Sequence, residues 1–343
     1  MTPILVFITL ALFSYLAVYL IRHYAERRQI LDHPNERSSH SVPTPRGGGW
    51  AIVILILGVG TWFVVQAGVN RRLIYLVCGA VIAWLGWRDD LHSLSPRVRF
   101  VVHGIVAGIS IWGLGYFKVV TIPMLGELQL GAAGIVITFL WIIGLTNAYN
   151  FMDGIDGMAG GVALSAGIGW MWLASNINNP FVFWIALAIT AGNLGFLGHN
   201  WSPARIFMGD VGSTFLGYSF AVLPLISADQ GGDALLLGTL LMWTIIMDAG
   251  VTFIQRLLKR ENVFAAHRSH LYQRLVLAGY KHETVSSLYI LLTLLAGLLS
   301  YEWSQGHQIA APLIFLGLPL IWVLLSTHAA RLRNTALNPK PST

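Results

Sequence analysis

The chain has 343 residues, 55% of them hydrophobic and only 10% charged, where ordinary soluble domains carry about a quarter charged; its mean hydropathy is +0.66. Too little polar surface remains to keep such a chain in water, and a formal net charge of +6 is small for a nucleic-acid binder. The single cysteine, Cys78, excludes an intrachain disulfide and a thiol-rich metal site.

Apolar stretches of about 20 residues, the length of a helix that crosses a bilayer, recur from end to end. They fall at residues 3–21, 48–66, 73–88, 98–116, 132–149, 157–174, 181–199, 211–227, 233–255, 284–302 and 309–327. The pattern predicts an all-α polytopic membrane protein with 10–11 transmembrane helices, one integral membrane domain over residues 1–343. No basic residue precedes the first stretch and no small-residue cleavage site ends it, while Arg22, Arg27 and Arg28 follow. It therefore reads as an uncleaved anchor with its N-terminus outside. That orientation puts 18 of the 21 Lys and Arg on the inner side and leaves Arg71, Arg72 and Lys118 outside, as the positive-inside rule requires. On the outer side, Val119–Ile122 and Glu127–Leu130 flank Pro123 and Gly126, which predicts a small periplasmic β-hairpin.

The inner connections, about 22–47, 88–98, 147–157, 200–213 and 256–283, hold nearly all the unusual polar residues. In the first, Asp32-His33-Pro34-Asn35-Glu36-Arg37 leads into Thr44-Pro45-Arg46-Gly47-Gly48-Gly49. A Gly-rich turn opening a helix can cradle phosphates, so Arg37, Thr44, Arg46 and Gly48 are candidate substrate contacts. The second carries Asp89-Asp90, then Arg97 and Arg99. Neighbouring helical residues point about 100° apart, so the two acids should have different jobs.

The third connection reads Asn147-Ala-Tyr-Asn150-Phe-Met-Asp153-Gly-Ile-Asp156-Gly157. Steps of three retreat by about 60° each on a straight helix, so these polar residues converge only if the helix breaks, which Gly154 and Gly157 permit. A simple polar cap explains one Asn and one Gly but not two acids. The fourth, Phe207-Met208-Gly209-Asp210-Val211-Gly212-Ser213, opens a span with small residues that favour phosphate oxygens; its plain reading is an Asp N-cap. Asp248 lies inside the ninth stretch, where a carboxylate is costly and either functional or paired; bracing a kink beside Gly250 is the other reading. The last inner connection holds His267-Arg268-Ser269-His270, too few ligands for a zinc site. Asp89, Asp90, Asp153, Asp156 and Asp210 would repel one another without a cation, and hard carboxylate oxygens suit Mg²⁺ or Mn²⁺.

Taken in order, the Asp89-Asp90 pair, the Asn147-to-Gly157 run, Phe207-Met-Gly-Asp210-x-Gly212-Ser213 and the late histidine loop carry a specific likeness. From Asp32 to about Arg274 the chain resembles the polyprenyl-phosphate N-acetylhexosamine-1-phosphate transferase family. The resemblance implies a bacterial inner-membrane enzyme whose cytosolic, Mg²⁺-dependent site moves a sugar 1-phosphate from a UDP-N-acetylamino sugar to undecaprenyl phosphate, releasing UMP. It implies Asp210 as metal ligand, with Asn150 and Asp153 near the metal and nucleotide. Asp89, with Asp90 beside it, corresponds to the proposed base or nucleophile, and Asp153 and Asp156 join them as catalytic candidates. Asn147, Asn150, Arg97, His267, Arg268 and His270 are implied as substrate contacts. Arg97 and Arg99 stand where many relatives have Lys, and two histidines remain of a motif that often has three. The histidine loop looks most like the O-antigen-initiating branch that uses N-acetylfucosamine or N-acetylquinovosamine; N-acetylglucosamine 1-phosphate transfer is the alternative. The family also implies membrane lipids and a possible homodimer as partners. A secondary transporter is the rival from another class, and acids at the inner boundary with unmatched halves count against it.

Overall fold

The computed structural model describes residues 2–34, 42–68, 70–122, 124–228, 233–262, 267–307 and 309–337. The elements are α1 (Pro3–Arg28), β1 (Leu31–Asp32), β2 (Thr44–Pro45), α2 (Gly49–Ala67), α3 (Arg72–His92), α4 (Pro96–Leu114), β3 (Val119–Ile122) and β4 (Gly126–Gln129). There follow α5 (Ala133–Phe151), α6 (Met158–Asn176), α7 (Pro180–Asn200), α8 (Asp210–Ser227), α9 (Ala234–Leu241), α10 (Trp243–Leu258), α11 (Leu271–Leu277) and α12 (His282–Ser304). The chain ends with α13 (Ala310–Pro312), a π-helical turn (Leu313–Gly317) and α14 (Leu318–Leu337).

Each of the eleven apolar stretches is helical. Among the described residues, 8 helices are long and apolar enough to cross a membrane, or 9 if the bent pair α9 and α10 counts as one span, so the chain is a multi-pass membrane protein. Helices α3 and α8, under the third and eighth stretches, are not among these 8. The ninth stretch is not one straight helix: α9 and α10 meet at Met242 with a bend of 78°. The predicted hairpin is present, β3 pairing antiparallel with β4 from Val119 opposite Gln129 to Ile122 opposite Gly126.

Helix α8 shows how a polar span is kept in the centre. It packs against α2, α3 and α5, and every residue from Val211 to Leu225 is buried. Two of its hydroxyls are satisfied within the helix: Ser219 donates to Phe215 O at 2.8 Å and Ser227 to Leu223 O at 2.9 Å. Such back-bonding hides polar groups where no water can serve them. Small residues then let neighbouring backbones approach its start. A Cβ on Gly86 of α3 would lie 2.4 Å from Asp210 O, and one on Gly49 of α2 would lie 2.4 Å from Gly212 Cα.

Candidate active site

The same end of the bundle gathers the C-termini of α3 and α5, the start of α8 and the strands β1 and β2. Asp32 pairs with Thr44 across β1 and β2, and Arg46 forms a parallel bridge with Phe207. Phe207 N–H donates to Pro45 O at 2.8 Å, and the N–H groups of Gly48 and Gly49 donate to Phe207 O at 3.0 Å and Met208 O at 2.9 Å. The glycine-rich turn is thus a docking seam. The Gly48 donor required for a phosphate cradle is already bonded, and a Cβ there would meet the Phe196 ring at 2.7 Å. Thr44 is buried with its hydroxyl donating to Val42 O at 2.9 Å. Arg37 lies outside the described residues.

Helix α8 begins on Gly209, whose φ of 78° is in the region glycine adopts freely. With no side chain there to cap the helix, the cap comes from α3. Asp90 Oδ1 accepts the Asp210 N–H at 2.9 Å and Asp90 Oδ2 accepts the Val211 N–H at 3.1 Å. The Asp210 carboxylate is therefore not an N-cap and turns toward Arg99, whose Nη1 lies 3.9 Å from Asp210 Oδ2 and 2.8 Å from Asp89 Oδ2. Asp89 also accepts the Leu94 N–H at 2.6 Å. Arg46 reaches in from the other side, 2.7 Å from Asp32 and 3.5 Å from Asp90. Burial works against the Arg46 charge, yet the Asp90, Asp32 and Asp210 carboxylates outweigh it and raise the guanidinium above its ordinary value.

Asn150, still on α5, accepts the Ser213 hydroxyl through Oδ1 at 3.0 Å. Asp153 follows in the turn. Loss of water around it, then the Asp90 charge, push its carboxyl well above the usual carboxylate range. Among the described residues no three His, Cys, Asp or Glu side chains are already grouped to hold an ion. The oxygens of Asp153, Asp210 and Asn150 are hard donors, the kind that Mg²⁺ or Mn²⁺ takes, and Asn150 is held at the start of α8, where Asp210 stands.

The remaining candidates are held by other partners. Because α5 continues to Phe151, Asn147 and Asp156 do not converge. Asn147 Nδ2 donates to Ile143 O at 2.8 Å and lies 3.1 Å from His103 Nδ1. Asp156 is a tie: Oδ2 accepts the Ala204 N–H at 3.1 Å and lies 3.4 Å from His282 Nδ1, while its carbonyl accepts the Ser286 hydroxyl at 2.7 Å. Burial would raise the Asp156 carboxyl, but the His282 and Ala204 bonds prevail and hold it below its ordinary value. Arg97 is exposed, and Arg99 two residues on is the cation that meets the acids.

The histidine loop divides. His270 is buried against Asp248, Nδ1 lying 3.2 Å from Oδ1. His267 is half-buried with its ring centroid 4.9 Å from that of His270, and Arg268 beside it is also half-buried. Burial, then His270 and Arg256, push the His267 imidazole down to about 4. The loop meets the recess through Tyr272, whose hydroxyl donates to Phe151 O at 3.0 Å. Arg99 and Ser213 stood in the sequence motifs without being ranked as site residues. The α8-capping role of Asp90 had no local signal, because its partners lie far along the chain.

A sequence model described as glycosyl transferase family 4 matches residues 72–228. Over 274 residues the chain is 32% identical to the probable undecaprenyl-phosphate N-acetylglucosaminyl 1-phosphate transferase of Bacillus subtilis (strain 168), spanning 77% of this chain and 74% of that protein. Over 310 residues it is 28% identical to the undecaprenyl-phosphate alpha-N-acetylglucosaminyl 1-phosphate transferase of Escherichia coli (strain K12), spanning 85% and 81%. The decaprenyl-phosphate N-acetylglucosaminephosphotransferase of Mycobacterium leprae (strain TN) is 28% identical over 312 residues, spanning 82% and 78%.

Proposed function

This chain belongs to glycosyl transferase family 4, and on that footing we propose that it transfers N-acetylglucosamine 1-phosphate from UDP-N-acetylglucosamine to undecaprenyl phosphate, releasing UMP at the cytosolic face of a bacterial inner membrane. The names of the three relatives above agree on the sugar and on a polyprenyl phosphate. A deoxy-amino sugar finds support in the histidine loop alone. One observation carries the reading: Asp89, Asp90 and Asp210 meet with Arg46 and Arg99 at the start of α8, with Asn150 bonded to Ser213 beside them.

The obstacle to the reaction is repulsion between two phosphates. A bound Mg²⁺ would supply Lewis-acid charge for the pyrophosphate oxygens, and Asp210, Asp153 and the Asn150 amide oxygen are the groups to hold it. Arg99, oriented by Asp89, offers a guanidinium to the incoming phosphate. The second pKa of a phosphate monoester is about 6, so much of the lipid phosphate is already fully ionised at neutral pH and needs no strong base. Its oxygen attacks the β-phosphorus, the new P–O bond forms, and the bond to the α-phosphate oxygen breaks with the electron pair leaving on UMP.

The test is purified protein with undecaprenyl phosphate and a panel of UDP-sugars, N-acetylglucosamine, N-acetylfucosamine and N-acetylquinovosamine, scored for UMP with and without Mg²⁺. Lipid-dependent, Mg²⁺-dependent UMP release from UDP-N-acetylglucosamine is expected. Release from a deoxy sugar alone would change the substrate. No release from any sugar, with uptake into proteoliposomes, would favour a transporter.

A further inference from the structure

Asp248 has no part in the chemistry above, yet it is 1% exposed and joined to three elements. Its Oδ1 accepts the Leu271 N–H at 2.8 Å, lies 3.2 Å from His270 Nδ1 and accepts the Thr252 hydroxyl at 3.4 Å. Its Oδ2 accepts the Tyr272 N–H at 3.2 Å and the Tyr289 hydroxyl. A carboxylate inside an apolar bundle is tolerated when its oxygens are filled by donors. Here two of the donors are backbone N–H groups where the histidine loop becomes α11, so the acid grips that loop directly. It does not brace a kink at Gly250, since the bend lies at Met242.

From this grip the contacts run two ways. His270 lies against His267, the rings tilted by 37° with their centroids 4.9 Å apart. Tyr272 bonds to Phe151 O at the end of α5, and a Cβ on Gly154 would fall 2.1 Å from the Tyr272 hydroxyl, so the turn carrying Asp153 is seated on that ring. We propose that Asp248 is a positioning residue of the transfer site: by holding His270 and the start of α11 it sets the His267 loop and the Asn150–Asp153 turn against each other. The inference rests on the transfer reaction proposed above.

The test uses the full chain in nanodiscs: wild type, Asp248→Asn, His270→Ala and the double variant, with kinetics for both substrates and amide hydrogen exchange. The amide of Asn presents N–H groups where Oδ2 accepts two donors. Asp248→Asn should lower kcat by roughly 10–100-fold, a usual cost of misplacing a site, with KM for the UDP-sugar within about threefold. Residues that act as one unit are non-additive, so the double variant should turn over within about threefold of His270→Ala alone. Exchange should quicken at Leu271, Tyr272 and residues 150–154. Wild-type kcat in Asp248→Asn, or losses that multiply in the double variant, would overturn the proposal. If Asp248→Asn does not accumulate in membranes, Tyr289→Phe takes its place in the same cycle, with the same two deciding outcomes. A wild type that releases no UMP sinks the transfer reading; exchange then decides on Asp248, and unaltered exchange at 150–154 in the variant refutes the link.

Discussion

At the start of α8 the capping side chain comes from another helix, which separates two acids that look alike. Asp90 fills the N–H groups of Asp210 and Val211, leaving the Asp210 carboxylate for chemistry. Removing a helix cap and leaving buried donors unpaired costs about 2 kcal/mol or more, so Asp90→Ala should lower the melting temperature, and Asp90→Ser should recover part of it. Asp210→Asn should melt like wild type while UMP release falls by at least about 100-fold, the scale of losing a charge-stabilising group. A dead Asp90→Ala enzyme with an unchanged melting curve would return Asp90 to the reaction. His267 carries a prediction of its own. With its proton lost near pH 4, the free enzyme presents a neutral ring at working pH rather than a cation. His267→Gln should therefore keep the shape of the kcat/KM profile between about pH 5.5 and 8.5, even if the rate drops, since an ordinary imidazole would titrate near 6.5. An inflection near pH 6–7 that vanishes in the variant would contradict this. The acids themselves were legible as motifs, but their division of labour was not, because Asp90, Asp210 and Arg46 meet only through tertiary packing.

Between elements, the turn from α5 to α6 is held by Asp156, which ties it to the segment at Ala204 and to the head of α12. Asp156→Ala should lower the melting temperature and loosen all three elements together. The pH dependence has a definite sign. A carboxyl whose folded pKa is depressed adds stability above its unfolded value, about 3.9, and loses it as pH falls through the lower folded value. Melting near neutral pH should thus be insensitive to this group, and the wild-type advantage over Asp156→Ala should shrink only in strong acid. An advantage that already faded between pH 7 and 5 would show that the Asp156 carboxyl is not held below its ordinary value. The helices and the β3–β4 hairpin were readable because hydropathy and turn residues are local signals. The bend at Met242 was not: Leu240, Leu241, Met242 and Trp243 contain no glycine or proline to mark it. Nor was the two-residue pairing of β1 with β2, too short to leave a pattern.

For the whole molecule, the charge distribution makes a prediction that the apolarity of the helices alone does not. The proposed chemistry needs the recess at the start of α8 to face the cytosol, while the β3–β4 hairpin faces outward. Cys78, the single cysteine, is buried, so a cysteine introduced elsewhere can be labelled with little background. Glu127 in the exposed strand β4 and Lys281 at the head of α12, with 80% of its side chain exposed, are predicted to lie on opposite sides. A membrane-impermeant maleimide applied to intact spheroplasts should label Glu127→Cys at once and Lys281→Cys only after the membrane is opened. The reverse pattern would put most of the Lys and Arg outside, against the energetic bias that orients such chains. It would also part the acidic recess from a nucleotide-sugar made in the cytosol, and the transfer reading would fall with the orientation.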